Sequence, residues 1–348
     1  MASEPHTDAS DSTMDTRKVQ KVGGSTYTVS IPKHWATEQG IEAGTVVHLH
    51  THLDDALVVK TERHDGGDLN RIELAVDETR ERSVGELLRP AYVTGYDEIV
   101  LRSEEEFTPE QRRSVVKTVR DLMGMEIVTE TTDEVVVQNL INAAEVSVLQ
   151  SVLQLRSIAL SMNETAIDAL LTGDAGKIAR VVERDDEVDR LYEMVHRHFN
   201  RSLTSLAEVD QLGVGRNRLF VLYRTARQLE RVADHAERIA TTADRLGGTP
   251  SEEMAAEIDA AAAEARHVVE AATSVVLGDG DVQRAYAALD RRDDVLATVE
   301  RVDQTLFETS GADEYLLTRA VDSIGRTAEY GGNVAETAIR AAARDGRL

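Results

Sequence analysis

The chain has 348 residues, no cysteine and a net charge of −24, from 39 Lys and Arg against 63 Asp and Glu. That length suits two or three domains with a sizeable core. The missing thiols exclude disulfides, thiolate metal sites and thiol catalysis, and no apolar run reaches the ~20 residues of a membrane span. The basic residues are mostly Arg; Lys occurs only at Lys18, Lys21, Lys33, Lys60, Lys117 and Lys177. An acidic, Lys-poor surface keeps a chain dissolved in concentrated salt and points to a salt-adapted, halophilic cytoplasm. The opening MASEPHTDASDSTMDT lacks the basic start and apolar stretch of an export signal.

Residues 1–16 read as a disordered acidic leader. Over 17–66 the character changes. VGGSTYTVSIP, TVVHLH and ALVVKTE are β-branched runs broken by Gly, Pro and Asp pairs, with a short helix predicted at HWATEQGI. A β-rich unit of this size buries little core alone, so pairing with a second copy is expected. The charge is uneven: the acid excess lies in 1–16 and 65–348, while 17–64 is nearly neutral. RHDGGDL (63–69) reads as a linker.

Residues 67–132 read as a small α/β connector. A helix is predicted at Val84–Tyr92, a strand at IVLRS (99–103), a helix capped by Thr108 with Pro109 at its first position, and a strand at EIVTET (126–131). From Asp133 onward the pattern is helical. Val137, Ile141, Ala144, Val148, Val152, Leu155 and Ala159 step by three and four as far as Leu170. Gly173-Asp174 ends that helix, and further helices are predicted at 176–206, 216–246, 252–277, 281–309 and 313–343. LLTGD (170–174) matches VVLGD (275–279), and QLERVADHAERIA (228–240) matches SIGRTAEYGGNVA (323–335). The repeat predicts two tandem three-helix bundles, at 133–247 and 248–348. The fold class is therefore mainly α with a small β domain.

Two helices of the first bundle carry carboxylate pairs. Asp185 and Asp189 stand four apart, as do Glu230 and Asp234, so each pair shares one helix face. Four hard oxygen ligands suit iron, manganese, magnesium or zinc. Acidic pairs at this spacing also occur on solvated faces, so spacing alone leaves both readings open. ERDDEVD on helix two and LERVADHAERIA on helix three, within a duplicated three-helix bundle, resemble the PhoU family of phosphate-uptake regulators. That resemblance covers roughly 133–345. It implies metal clusters, iron first, held by these carboxylates, and negative regulation of phosphate import through a transporter or its sensor system. The second repeat departs from the motif: Gly325 and Glu329 replace the two carboxylates of helix three. Its helix two offers Asp290 and Asp294 by one count, or Arg292 and Leu296 by the apolar face. His196, His198 and His235 lie near the intact motif, as further ligands or as solvated side chains.

In the amino-terminal unit, Arg17, Lys18, Lys21 and Lys33 place four cations with no acid among them, and Gly23, Gly24 and Ser25 can bring backbone N–H groups to phosphate. Ser25, Val29-Ser30-Ile31-Pro32-Lys33 and Gly40-Ile41 followed by Gly44 and Val46 resemble the AbrB/MazE swapped-hairpin DNA-binding family. That resemblance covers nearly all of 17–63 and implies a barrel built from two chains. The expected function is a homodimeric, DNA-binding regulator of phosphate uptake whose DNA contacts come from Arg17, Lys18, Lys21, Ser25 and Lys33, and whose metal ligands are Asp185, Asp189, Glu230 and Asp234. The alternative is a protein that contacts a phosphate transporter or its signalling partner while the β unit only dimerises. An enzyme is not expected: no Walker loop, nucleophile–base pair or Glu-x-x-His pair is present.

Overall fold

The structure is a computed structural model that describes residues 16–51, 56–61, 69–76, 84–278, 280–309 and 311–348. The acidic leader (apart from residue 16) and the expected linker (apart from Leu69) lie outside the described residues. The chain divides into two units, 1–64 and 65–348.

In the first unit, β1 (Gln20–Val22) and β2 (Thr26–Thr28) form an antiparallel hairpin. Helix α1 (Lys33–Glu38) follows Pro32. It ends in a Schellman motif: Ile41 N–H donates to Ala36 O and Gly40 N–H to Thr37 O, with Gly40 left-handed at φ +64°. β3 (His48–Thr51) and β4 (Leu57–Lys60) form a second antiparallel hairpin. None of the described residues of this unit is buried. Val19, Val22, Tyr27, Val46, Leu49 and Leu57 are more than half exposed. Among the described residues of this unit, nothing covers the apolar side chains that should form a core.

The second unit begins with an α/β layer. β5 (Arg71–Val76), α2 (Gly85–Thr94), β6 (Glu98–Ser103), α3 (Pro109–Asp121), β7 (Met125–Glu130) and β8 (Glu134–Asn139) follow in chain order. The sheet order is β5-β6-β8-β7, with β5 and β6 parallel across α2 and the other pairs antiparallel. Thr108 and Gln111 form a capping box at the start of α3, with Pro109 behind the cap. Leu88, Tyr92, Ile99, Leu101, Val135 and Val137 centre the core of this layer.

β8 corrects the helix expected from Asp133. Val135 and Val137 point inward at strand period and are buried, and both neighbouring strands pair with this segment. The three consecutive Val residues favour a strand, whereas the three-and-four spacing from Val137 was an accident of composition. Ile141 and Ala144 lie in the connection, which includes a 3-10 turn at Ala143–Glu145. Helix α4 starts only at Val148, capped by the Ser147 side chain.

The helices are α4 (Val148–Thr172), α5 (Ala175–Thr204), α6 (Leu206–Leu212), α7 (Arg216–Ala243), α8 (Glu252–Leu277), α9 (Val282–Thr309) and α10 (Ala312–Arg344). Short α6 is an addition to the expected set; Ser205 ends α5 and its hydroxyl caps α6. Gly173 and Gly278, the matched positions of the repeat, both end their helices in the left-handed conformation. One three-helix group is α4, α5 and α7, the other α8, α9 and α10. They share a single continuous core, because α7 packs on α10 and α4 on α8. The middle of α10 closes tightly on α8: a Cβ on Gly331 would lie 2.8 Å from Val268 Cγ1 and 2.9 Å from the Val269 nitrogen. No helix among the described residues is long and apolar enough to cross a membrane.

The α/β layer is tied to the bundle through the carboxyl end of α2. The last carbonyls of a helix lack intrahelical partners and carry its negative dipole end. Here α5 supplies cations and an amide to them. Buried Arg197 donates to Tyr92 O and Tyr96 O, both at 2.8 Å, and to Asp97 Oδ1 at 2.9 Å. Asn200 donates to Val93 O, and Arg201 to Gly95 O and Asp97. Gly95 is left-handed at φ +114°, and a Cβ there would lie 2.6 Å from Arg201 Cγ. Gly95→Ala is therefore expected to cost about 1–3 kcal/mol, the range for a side chain held at positive φ. Urea unfolding checks this; a midpoint equal to that of the wild type would contradict the close approach.

Candidate carboxylate site and candidate nucleic-acid interface

Helices α5 and α7 bring the two predicted carboxylate pairs together. Asp185 and Asp189 are half-buried on α5, and on α7 Glu230 is buried and Asp234 half-buried. Burial raises all four carboxyl pKa values; neighbouring acids raise Asp185, Asp189 and Glu230 further, whereas Arg238, Arg227 and Arg231 pull Asp234 back. Asp185 is pushed up to about 7 by burial and then by Asp189, Glu237 and Asp234. Glu230 is pushed up to about 7 by burial and Asp234, against the pull of Arg227. Asp189 and Asp234 move in the same direction, chiefly by burial.

Two more acids extend the row. Glu193 lies one turn beyond Asp189, Glu237 three residues beyond Asp234, and both are raised, burial being the largest cause. The sequence reading passed over them, although each continues its helix stripe. Among the described residues, two guanidinium groups form ion pairs with the row. Arg227 binds Glu230 at 2.7 Å. Arg89, from α2, binds Glu193 at 2.6 Å and Asp121 at 3.4 Å, and the charge of Asp189 also acts on it. No local pattern could have placed Arg89 here.

Three buried oxygens of the row, Asp185 Oδ1, Glu193 Oε2 and Glu230 Oε2, have no hydrogen-bond partner. Buried charged oxygens left unpaired are costly, and a cation is the direct remedy. Among the described residues no three His, Asp or Glu side chains surround one point closely enough to hold an ion. The arrangement is a carboxylate surface rather than a closed cage. Its all-oxygen donor set suits hard cations.

The three neighbouring histidines are engaged elsewhere, and two of them are buried rather than solvated. His198 is buried against Glu208 at 2.6 Å. His196 packs among Tyr192 and Tyr223. His235 is buried beside Tyr330, its pKa lowered to about 4 by burial and then by Arg238.

The second repeat carries no such row among the described residues. A Cβ on Gly325 would touch Leu296 and Val299, and one on Gly332 would touch Arg292. Arg292 and Leu296 are half-buried, whereas Asp290 and Asp294 are exposed. The apolar face therefore sets the register, and Asp290 and Asp294 do not meet helix α10. Glu329 pairs with Arg326 at 2.8 Å.

In the first unit Arg17, Lys18, Lys21, Ser25 and Lys33 are all exposed. Lys21 lies on β1 opposite Tyr27, Ser25 follows the turn at left-handed Gly23, and Lys33 opens α1. Among the described residues, Lys18, Lys21 and Lys33 form no ion pair. Trp35 is half-buried and His34 exposed.

Residues 152–243 match the family model described as the PhoU domain, and residues 20–66 the one described as antidote-toxin recognition MazE, bacterial antitoxin. Among solved structures, the chain is similar to the crystal structure of PhoU from Pseudomonas aeruginosa, at 18% identity and TM-score 0.46, over 57% of this chain and 96% of that one. It is also similar to the phosphate transport system regulatory protein PhoU from Streptococcus pneumoniae, at 15% identity and TM-score 0.45, over 58% of this chain and 95% of that one. No curated protein matches the chain.

Proposed function

We propose that this chain, a PhoU-like helical fold joined to an AbrB/MazE-like unit, is a DNA-binding regulator of phosphate uptake whose helical part senses a metal ion. The observation that carries this reading is the first unit itself: exposed Lys18, Lys21 and Lys33 on a β-rich segment in which none of the described residues is buried. A second copy supplies the missing core and brings both sets of cations into one assembly. Phosphate contacts of this kind position a protein on DNA.

Asp185, Asp189, Glu230 and Asp234 would hold the metal, with Glu193 and Glu237 at the ends of the row. The unpartnered buried oxygens and the hard donor set support iron, manganese or magnesium, with zinc less well matched for want of nitrogen or sulfur. A bound cation would supply charge neutralisation where six carboxylates repel one another. Arg89 ties that row to α2, so the α/β layer feels the charge state of the bundle.

The test is anisotropy titration of the full chain with phosphate-transport promoter DNA across a potassium chloride series. The Lys21→Ala/Lys33→Ala variant removes up to four cation–phosphate contacts from a dimer. The slope of log K against log salt is expected to become shallower by about 3–4, at ~0.9 per contact. An unchanged slope contradicts this assignment. Absence of specific binding by the wild type at every salt would favour the alternative, a protein that contacts a phosphate transporter or its signalling partner. That reading takes support from the acid excess of 65–348, which disfavours contact of the helical part with DNA.

A further inference from the structure

Two hollows, of about 450 and about 480 Å³, run along α8, one against α9 and one against α4. They share Arg156, His267 and Glu270, so they form one groove at the junction of the two three-helix groups. Cations line it from three helices: Arg156 of α4, Arg266 of α8, and Arg284 and Arg291 of α9.

In a chain with 63 acidic residues, acid partners for these cations would be easy to find. Yet among the described residues the guanidinium groups of Arg156, half-buried, and Arg284, exposed, form no ion pair or hydrogen bond. Arg266 meets a neutral oxygen, Asn163 Oδ1, at 3.3 Å. Arg184 of α5 points at the same region and donates to the Ser161 hydroxyl at 3.1 Å, and Ser161 lines the groove. Arg291 is paired, with Glu264 at 3.3 Å. Glu164 and Glu270 stand on the lining, both exposed, and neither forms an ion pair with the guanidinium groups around it.

We infer that this groove binds a condensed phosphate chain, either inorganic polyphosphate or the phosphate chain of a nucleotide. Guanidinium forks match phosphate oxygens in pairs of hydrogen bonds. The lining of α8 runs from Ala263 to Ser274, about 16 Å at ~1.5 Å per residue. Orthophosphate spans only a fraction of that length, whereas a chain of phosphates meets Arg266, Arg156 and Arg284 in succession. The lining holds no Phe, Tyr or Trp on which a base could stack, so the phosphates carry the recognition. This inference goes beyond the proposed function and stands without DNA or metal binding.

The test is calorimetric titration of the full-length chain, freed of metal by chelation, with sodium tripolyphosphate, ATP and orthophosphate. Tripolyphosphate is expected to saturate at one per chain and to bind at least tenfold more tightly than orthophosphate. Arg156→Gln/Arg284→Gln should weaken it at least tenfold, and Lys21→Ala/Lys33→Ala should leave it unchanged. If the double variant is misfolded by circular dichroism, Arg284→Gln alone, at an exposed position, should weaken binding at least threefold. ATP binding more tightly than tripolyphosphate assigns the nucleotide, and the reverse order assigns the inorganic chain. The inference is overturned by an absence of saturable binding, by full affinity in the arginine variants, by loss confined to the lysine variant, or by orthophosphate binding as tightly as tripolyphosphate.

Discussion

Above pH 7 and free of divalent metal, an Asp185→Asn/Asp234→Asn variant is expected to unfold at a higher temperature than the wild-type chain. The carboxyl groups of the α5–α7 row have folded-state pKa values above their ordinary ones, with Asp185 and Glu230 pushed up to about 7. Folding therefore opposes their ionised forms. The penalty is absent below about pH 4, where these groups are protonated folded or unfolded, and grows to its full value above about pH 7. Wild-type stability should thus fall across that window, and the variant's should fall less. Both substituted groups are half-buried, so solvent screening keeps the difference near 1 kcal/mol, or roughly 2–4 °C.

Under the proposed metal binding, manganese is expected to reverse the order. Manganese at one hundred times its Kd should stabilise the wild type by about 2.7 kcal/mol and leave the variant unmoved. Scanning calorimetry at pH 5 and pH 8, with and without manganese, reads every term. A wild type indifferent to manganese at pH 8, or a variant that gains as much, would remove the metal reading.

Arg197→Met is expected to destabilise the second unit by about 2–4 kcal/mol, chiefly the cost of leaving carbonyl groups at the end of α2 without their donor. Methionine fills much of the same volume, so the loss is polar. Tyr92 O and Tyr96 O each lose a donor, and Asp97 keeps only Arg201. The guanidinium also stacks over the Tyr92 ring at 5.0 Å. Behind it, Arg201 and His198 hold buried Glu208, whose pKa is lowered although burial acts the other way, because both neighbours hydrogen-bond to it. Urea unfolding gives the magnitude. Hydrogen exchange should show the opening concentrated in α2 and the start of β6, since α5 keeps its own packing on α4 and α7. A loss below 1 kcal/mol, or opening spread evenly over the chain, would mean that the α/β layer is held by its apolar contacts instead.

The elements that were legible from the amino-acid order are those with local causes. Thr108-Pro109 with Gln111 caps a helix wherever it occurs, and Gly173-Asp174 ends one helix and starts the next through left-handed φ and a carboxylate cap. The carboxylate pairs were legible because four-residue spacing places side chains on one helix face. The segment after Asp133 was misread because Val135, Val136 and Val137 fit both a helix stripe and a strand, and only pairing with β6 and β7 decides between them. The register of the second repeat was ambiguous for a similar reason. Counting from the Gly-Asp break favoured Asp290 and Asp294, while burial of the apolar face turned them to solvent.

Amino-acid order by itself thus determined the two-part organisation, the positions of the long helices, the duplicated bundle and the residues of the carboxylate pairs, all of which rest on caps, periodicity and composition within a few turns of chain. Tertiary structure alone decided that α5 and α7 face their acids toward one another, and that Arg89 from a distant helix touches the row. It also decided that Arg197 closes the carboxyl end of α2, and that Arg156, Arg266 and Arg284 share a groove. Each of these joins residues far apart in the chain, and electrostatic partners at such separations leave no periodic trace in the order of residues.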